Sequence, residues 1–236
     1  MAEVIQQENI RRRLFKLAAP IFIETLLIMM LGAVDVIMLS RHSDNSVAAV
    51  GVVNQIIVLT FLIFEVINLG TSVLCSQYLG AKMHKNVVQV VGVSLLMNLV
   101  VGVSVSLFLF GMNETILQWM GLTPELMKDG TDYMRIVGAF AFFQAISLTL
   151  SASLRSANKA IYPMMVTVVV NVLNIIGNYT LIFGEFGFPE MGVEGAAIST
   201  AFSRGVSMVI LFIILFRKHI RKFPLAYFRP FPFKEL

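Results

Sequence analysis

Two helix-length apolar stretches hold polar side chains at spacings that place them on single helical faces. In residues 14–39 these are Glu24 and Asp35, eleven residues apart, which is nearly three whole turns. In residues 160–184, Thr167, Asn171, Asn174 and Asn178 recur at i, i+4, i+7 and i+11, one polar stripe on a helix otherwise rich in Val, Ile and Leu. Asp35 sits about four residues, or ~6 Å, from the end of its stretch, and Asn174 and Asn178 approach the matching end of theirs. Thr200 lies in the same half of residues 192–216. A carboxylate, two amide carbonyls and a hydroxyl at one level could ligate a hard cation. They could also partner a carboxyl that takes up and releases a proton. The same groups have a plainer use, as hydrogen-bonded glue between neighbouring helices, with Asn171 the clearest case.

The elements that position these groups are long and apolar. Of 236 residues, 57% are hydrophobic and 14% charged; soluble domains carry about 25% charged residues, so this surface does not face water. The mean hydropathy is +0.82. Six stretches, 14–39, 47–79, 86–110, 131–154, 160–184 and 192–216, each supply the roughly 20 residues a helix needs to cross a hydrocarbon core. None alternates with a period of two, so helices are expected rather than a barrel. The expected fold class is an all-α integral membrane protein, a bundle of six transmembrane helices. In that setting a carboxylate such as Asp35 is costly unless something uses it. Pro20 removes a backbone donor upstream of it and can bend the first helix. Glu65 and Asn68 in the second stretch, with Gln77 below them, form another polar track. Glu65 is either a second proton-binding group or an ion-pair partner of Arg135 or Arg204.

The pI near 9.3 reflects topology rather than nucleic-acid binding. Basic residues collect at Arg11, Arg12, Arg13 and Lys16, at Lys82 and Lys85, at Arg155 and Lys159, and from Arg217 to Lys222. The alternate loops are mostly acidic: Asp44, Glu114, Glu125, Asp129, Glu185 and Glu190. The positive-inside rule then places both termini in the cytoplasm of a multi-pass protein of the cell (plasma or inner) membrane. Residues 1–13 read as a cytoplasmic lead, 14–216 as the transmembrane lobe, and 217–236 as a cytoplasmic linker. That linker alternates aromatics with prolines, Phe223 to Phe233, and stops as though a second half should follow. The first stretch is too long for a signal peptide.

Enzyme chemistry is not expected. Cys75 is the single cysteine, which excludes an intrachain disulfide and a thiolate metal cluster, and it reads as a small buried hydrophobe. His42, His84 and His219 are isolated, and neither a Gly-x-Ser-x-Gly nor a phosphate-cradling Gly-x-x-x-x-Gly-Lys pattern occurs. No cofactor is expected beyond a coupling ion, H+ or Na+.

Several segments together resemble the multidrug and toxic compound extrusion (MATE) family. They are Leu17-Ala-Ala-Pro20, Ala33-Val-Asp35-Val-Ile-Met38, Ala48-Ala-Val-Gly51, Gln77-Tyr-Leu-Gly80-Ala81, Leu154-Arg155, the run from Asn174 to Gly184, and the run from Gly192 to Thr200. The resemblance spans nearly the whole chain. It implies antiport, with cationic or amphipathic organic compounds leaving as protons or sodium ions enter. It assigns cation coupling to Asp35, Asn174 and Asn178, with Thr200 beside them, and helix bending to Pro20. It also implies a partner, since family members have two six-helix lobes and this chain supplies one. The second lobe would come from the same full-length chain or from a second copy. Asn178 departs from the pattern, standing where many members have aspartate, so the resemblance leaves proton and sodium both open. Three rivals are kept. One is a lipid-linked oligosaccharide or polysaccharide flippase of the same superfamily, which would favour a more cationic cavity. Another is half of a major facilitator, though the loop from Gly80 to Lys85 lacks the Asp-Arg signature of that fold. The third is a non-transporting scaffold or accessory subunit, in which Asp35 and Asn178 would serve assembly alone.

Overall fold

The computed structural model describes residues 2–218, with side-chain surroundings for 14–217. Within them every regular element is helical: α1 (Ala2–Ser40), α2 (Asp44–Gly80), α3 (His84–Gly111), α4 (Asn113–Trp119), α5 (Pro124–Ala139), α6 (Ala141–Ser156), α7 (Ile161–Phe183) and α8 (Gly192–Lys218), with a 3-10 turn at Glu185–Gly187. Five helices are long and apolar enough to span a membrane, starting from Leu14 within α1. The pair α5 and α6, bent by 46° at Phe140, makes a sixth. This is the expected bundle of six apolar spans.

Two expectations need adjusting. The fourth span is broken rather than straight. At the break the Phe142 amide donates across to Ser106 Oγ on α3 at 3.1 Å, and the rings of Phe140, Phe142 and Phe143 pack together. A first-turn amide with no partner inside its own helix is thereby satisfied. The connection 111–130 is also not a plain loop. It contains α4, and α5 starts early because Pro124 opens it after extended Thr123. Trp119 stays 77% exposed there, as an interfacial indole would. The aromatic-proline tail lies outside the described residues.

The interior is layered along the helix axes. One apolar cluster lies toward the α1–α2 turn, built on Leu39, Val50, Val53, Leu109, Leu117, Met134 and Ile182. A second lies toward the opposite end, around Cys75, Val91, Leu150, Leu154, Leu211 and Leu215. Between them runs a polar band. Asn98, at the middle of α3, donates to Asn68 Oδ1 (3.0 Å) and to Thr149 Oγ1 (2.5 Å), and Thr71 donates to Ser94 (2.7 Å). Outward faces are apolar: Phe22, Leu62, Leu69, Leu107 and Phe202 are each more than half exposed, as lipid-facing side chains are.

Small residues set the closest approach. α7 packs most extensively on α8 and α1. A Cβ on Gly195 would lie 2.5 Å from the Leu181 carbonyl oxygen, and one on Gly177 would collide with Ser199 Oγ. Without a hydrophobic drive in lipid, such close backbone packing is what holds membrane helices together.

Candidate functional site

α1, α7 and α8 meet near the α1–α2 end of the bundle, and the polar groups anticipated from sequence face one another there. Asp35 lies five residues before the end of α1 and Asn178 five before the end of α7, each ~7.5 Å along the axis. Asn178 Nδ2 donates to Asp35 Oδ1 at 2.6 Å and to Asn174 Oδ1 at 3.1 Å. Asn174 Nδ2 is 3.4 Å from Thr200 Oγ1, and Ser199 Oγ donates to the Asn174 carbonyl at 3.0 Å. A chain of contacts thus links Asp35, Asn178, Asn174 and Thr200 across three helices. Asn174 and Asn178 are almost wholly buried, 2% and 1% exposed. Asp35 and Thr200 are partly open.

One atom of this chain is unsatisfied. Asn178 Oδ1 is buried and has no hydrogen-bond partner. Buried amide carbonyls are normally paired, so an orphan asks for an explanation. Asp35 carboxylate, the two amide carbonyls and the Thr200 hydroxyl supply oxygen donors of the kind that hard cations take. They are also what a carboxyl needs to change from acceptor to donor when it gains a proton.

Two further groups close the site. Tyr133 on α5 is 5% exposed and reaches Thr200 with its hydroxyl. Arg204 on α8 is near enough for its charge to act on Asp35 and Tyr133. Its guanidinium lies over the Phe61 ring, 5.1 Å from the centroid, and its Nη1 is buried without a hydrogen-bond partner. Sequence reasoning placed neither at the site. Arg204 had a usable signal, four residues after Thr200 and so on the same face of α8. Tyr133 had none, because α5 reaches the site only through the tertiary fold.

The other candidates separate from this cluster. Glu24 shares a face with Asp35, but eleven residues put it ~16 Å away along α1. There it is 4% exposed and paired with Arg155 Nη2 at 2.8 Å. Asn171 donates to the Leu27 backbone carbonyl at 2.7 Å, tying α7 to α1. Thr167 is half-buried on the same stripe. Pro20 lies inside α1, which continues through it as one helix. The second polar track divides: Asn68 is buried in the network with Asn98 and Thr149, whereas Glu65 and Gln77 are exposed. Glu65 pairs with neither suggested arginine, since Arg135 sits over the Phe110 ring and Arg204 over Phe61. Cys75 is buried and free, as a small hydrophobe would be.

Comparison with known proteins gives a consistent result. The family model MatE matches residues 20–180. The chain is 43% identical to YisQ, an uncharacterized transporter of Bacillus subtilis, over 86% of this chain and 44% of that protein. It is 32% identical to the probable multidrug resistance protein NorM of Thermotoga maritima, over 89% of this chain and 45% of that protein. Among solved structures, an outward-facing multidrug resistance MATE family transporter of the MOP superfamily superimposes with a TM-score of 0.81 at 24% identity. That match covers 92% of this chain and 48% of the other. The chain therefore spans about half the length of the curated relatives it matches.

Proposed function

From the premise that this chain belongs to the MatE family, that of the multidrug and toxic compound extrusion transporters, we propose that it forms the amino-terminal six-helix half of an efflux antiporter. The whole antiporter exports cationic or amphipathic organic compounds in exchange for protons or sodium ions. The observation that carries this reading is the contact chain from Asp35 through Asn178 and Asn174 to Thr200. It joins three helices at one depth and includes an unsatisfied carbonyl, Asn178 Oδ1.

The chemistry follows from donor and acceptor counts. Ionised Asp35 only accepts, and the Asn178 amide donates to it. A proton on Asp35 removes its charge and adds a donor while one oxygen still accepts, so the bond from the Asn178 amide loses its charge assistance and weakens. A sodium ion would instead draw the oxygens inward. Either event changes how α1 is held against α7 near one end, while the Asn171–Leu27 and Glu24–Arg155 contacts hold it further along. α1 is therefore the element on which ion binding acts, and Pro20 gives it a place to bend. A thousand-fold preference of the ion for one conformation is only ~4 kcal/mol. The second six-helix unit completes the pathway, and the charge bias puts the site in the outer half of the cell membrane, with both termini inside.

Asp35→Asn is expected to abolish ion-driven efflux of a cationic dye from everted vesicles carrying the full-length product of the native gene. Membrane insertion should be retained. Efflux at the wild-type rate would sink the assignment. Collapsing the proton or the sodium gradient separately tells which ion is coupled.

A further inference from the structure

α6 packs extensively against both α3 and α8, with little direct packing between those two. It therefore forms the floor of a groove of about 610 Å³, with Ile146 beneath and α3 and α8 as walls. Leu96 and Leu99 stand exposed on one wall, Phe212 and Ile213 on the other. Past Met208 and Val209 the groove meets a second hollow, of about 370 Å³, beside Phe143, Phe202 and Gly205. From Ile213 to Phe202 is eleven residues of α8, or ~16 Å, about half the depth of a hydrocarbon core of roughly 30 Å. α1 packs chiefly on α7 and α2, so the groove opens away from it.

The basic end of the groove changes character in a fixed order. On α3, Lys85, Gln89, Gly92, Leu96 and Leu99 recur at i, i+4, i+7, i+11 and i+14, one face of the helix. An ammonium is followed after ~6 Å by an amide, and ~4.5 Å later by the apolar wall. On α8, Arg217 follows Ile213 by one turn, and Phe216 stacks on Phe212 with centroids 5.6 Å apart. Lys85 and Arg217 are both exposed, and neither belongs to an ion pair among the described residues. α3 and α6 contain no acid, and the single acid of α8, Glu194, lies at its other end. Arg155, at the same end of α6, is already held by Glu24. An anion arriving here meets two free cations and no carboxylate on the groove's helices.

We propose that this groove binds an anionic phospholipid of the cytoplasmic leaflet. Its phosphate lies against Lys85 and Arg217, its ester carbonyls face the Gln89 amide, and one acyl chain lies over Ile146 between α3 and α8. Basic side chains at the cytoplasmic surface attract anionic headgroups, and their long stems reach along apolar surface to do so. A zwitterionic headgroup brings its own cation, which Lys85 and Arg217 oppose. The site rests on the inward placement of the basic ends and is separate from the ion chemistry at Asp35.

The test uses the purified full-length gene product, delipidated in detergent and titrated with phosphatidylglycerol or phosphatidylcholine of the same acyl chains. Bound lipid is counted by native mass spectrometry, and a photoactivatable acyl chain locates it. Wild type should prefer phosphatidylglycerol about thirtyfold, from two basic residues at the surface, with cross-links concentrated on α3 and α8. Lys85→Gln combined with Arg217→Gln should abolish the preference and leave phosphatidylcholine binding unchanged. Leu96→Trp, which crowds the groove and keeps both cations, should cut the cross-links with either lipid. Cross-links spread evenly around the lobe overturn the proposal, because the lipid would then be an unspecific coat. An undiminished preference in the double variant overturns it, as do undiminished cross-links in Leu96→Trp. Displacement of the lipid by inorganic phosphate overturns it too, since the groove would then read a free anion. Cross-links from α3 or α8 to another protein segment in place of lipid assign the groove to a protein partner and overturn it. None of these readouts depends on transport.

Discussion

At the residue scale, Asp35 and Glu24 show how one helix face serves two purposes. Asp35 meets amides and a partly open surrounding, where a proton or cation can reach it. Glu24 meets Arg155 in an ion pair with side-chain exposures of 6% and 31%. Removing one partner from such a pair leaves a buried charge without compensation, which costs ~3 kcal/mol or more, whereas replacing both is often close to neutral. Arg155→Ala should therefore lower stability by about that amount in a denaturant titration of the detergent-solubilised protein. Glu24→Gln with Arg155→Met should lose clearly less. If the single and double variants are equally destabilised, the pair contributes packing rather than charge compensation.

At the element scale, the approach of α7 to α8 aligns the site, because Asn174 and Thr200 contact one another across it. Gly195 sits against the Leu181 carbonyl with no room for a methyl group. Gly195→Ala should force the helices apart and cost about 1–3 kcal/mol, read as a drop in the thermal unfolding midpoint. Gly51→Ala, whose added methyl meets nothing within 4 Å, is the matched control and should be neutral. A Gly195→Ala protein as stable as the control would show that the interface yields. The bend between α5 and α6 belongs to the same scale. Before it Tyr133 reaches Thr200, and just past it the Phe142 amide donates to Ser106 Oγ. Hydropathy alone registers residues 131–154 as a single span, because a break satisfied by a hydroxyl on another helix leaves no apolar gap.

At the scale of the whole molecule, the basic and acidic connections fall on opposite ends of the bundle, and this can be read chemically. In a Cys75→Ser background, a cysteine at Glu190 or His42 should react with an impermeant maleimide added outside intact cells. A cysteine at Lys82 or Asn158 should react only after permeabilisation. The reverse pattern would invert the topology and with it the direction of ion entry.

Span number, most span limits to within a few residues, and the shared depth of Asp35, Asn174 and Asn178 were legible in the sequence. The reason is that lipid forces every backbone group into helical bonds, after which 3.6-residue spacing fixes which side chains share a face. Which helices become neighbours is not encoded in that periodicity. Tyr133 joined the site, Glu24 left it for Arg155, and Glu65 was turned outward, all through packing between segments distant in the chain. The physical cause is close contact at Gly177 and Gly195 and a polar band that must satisfy itself, and both exist only once the six spans are assembled.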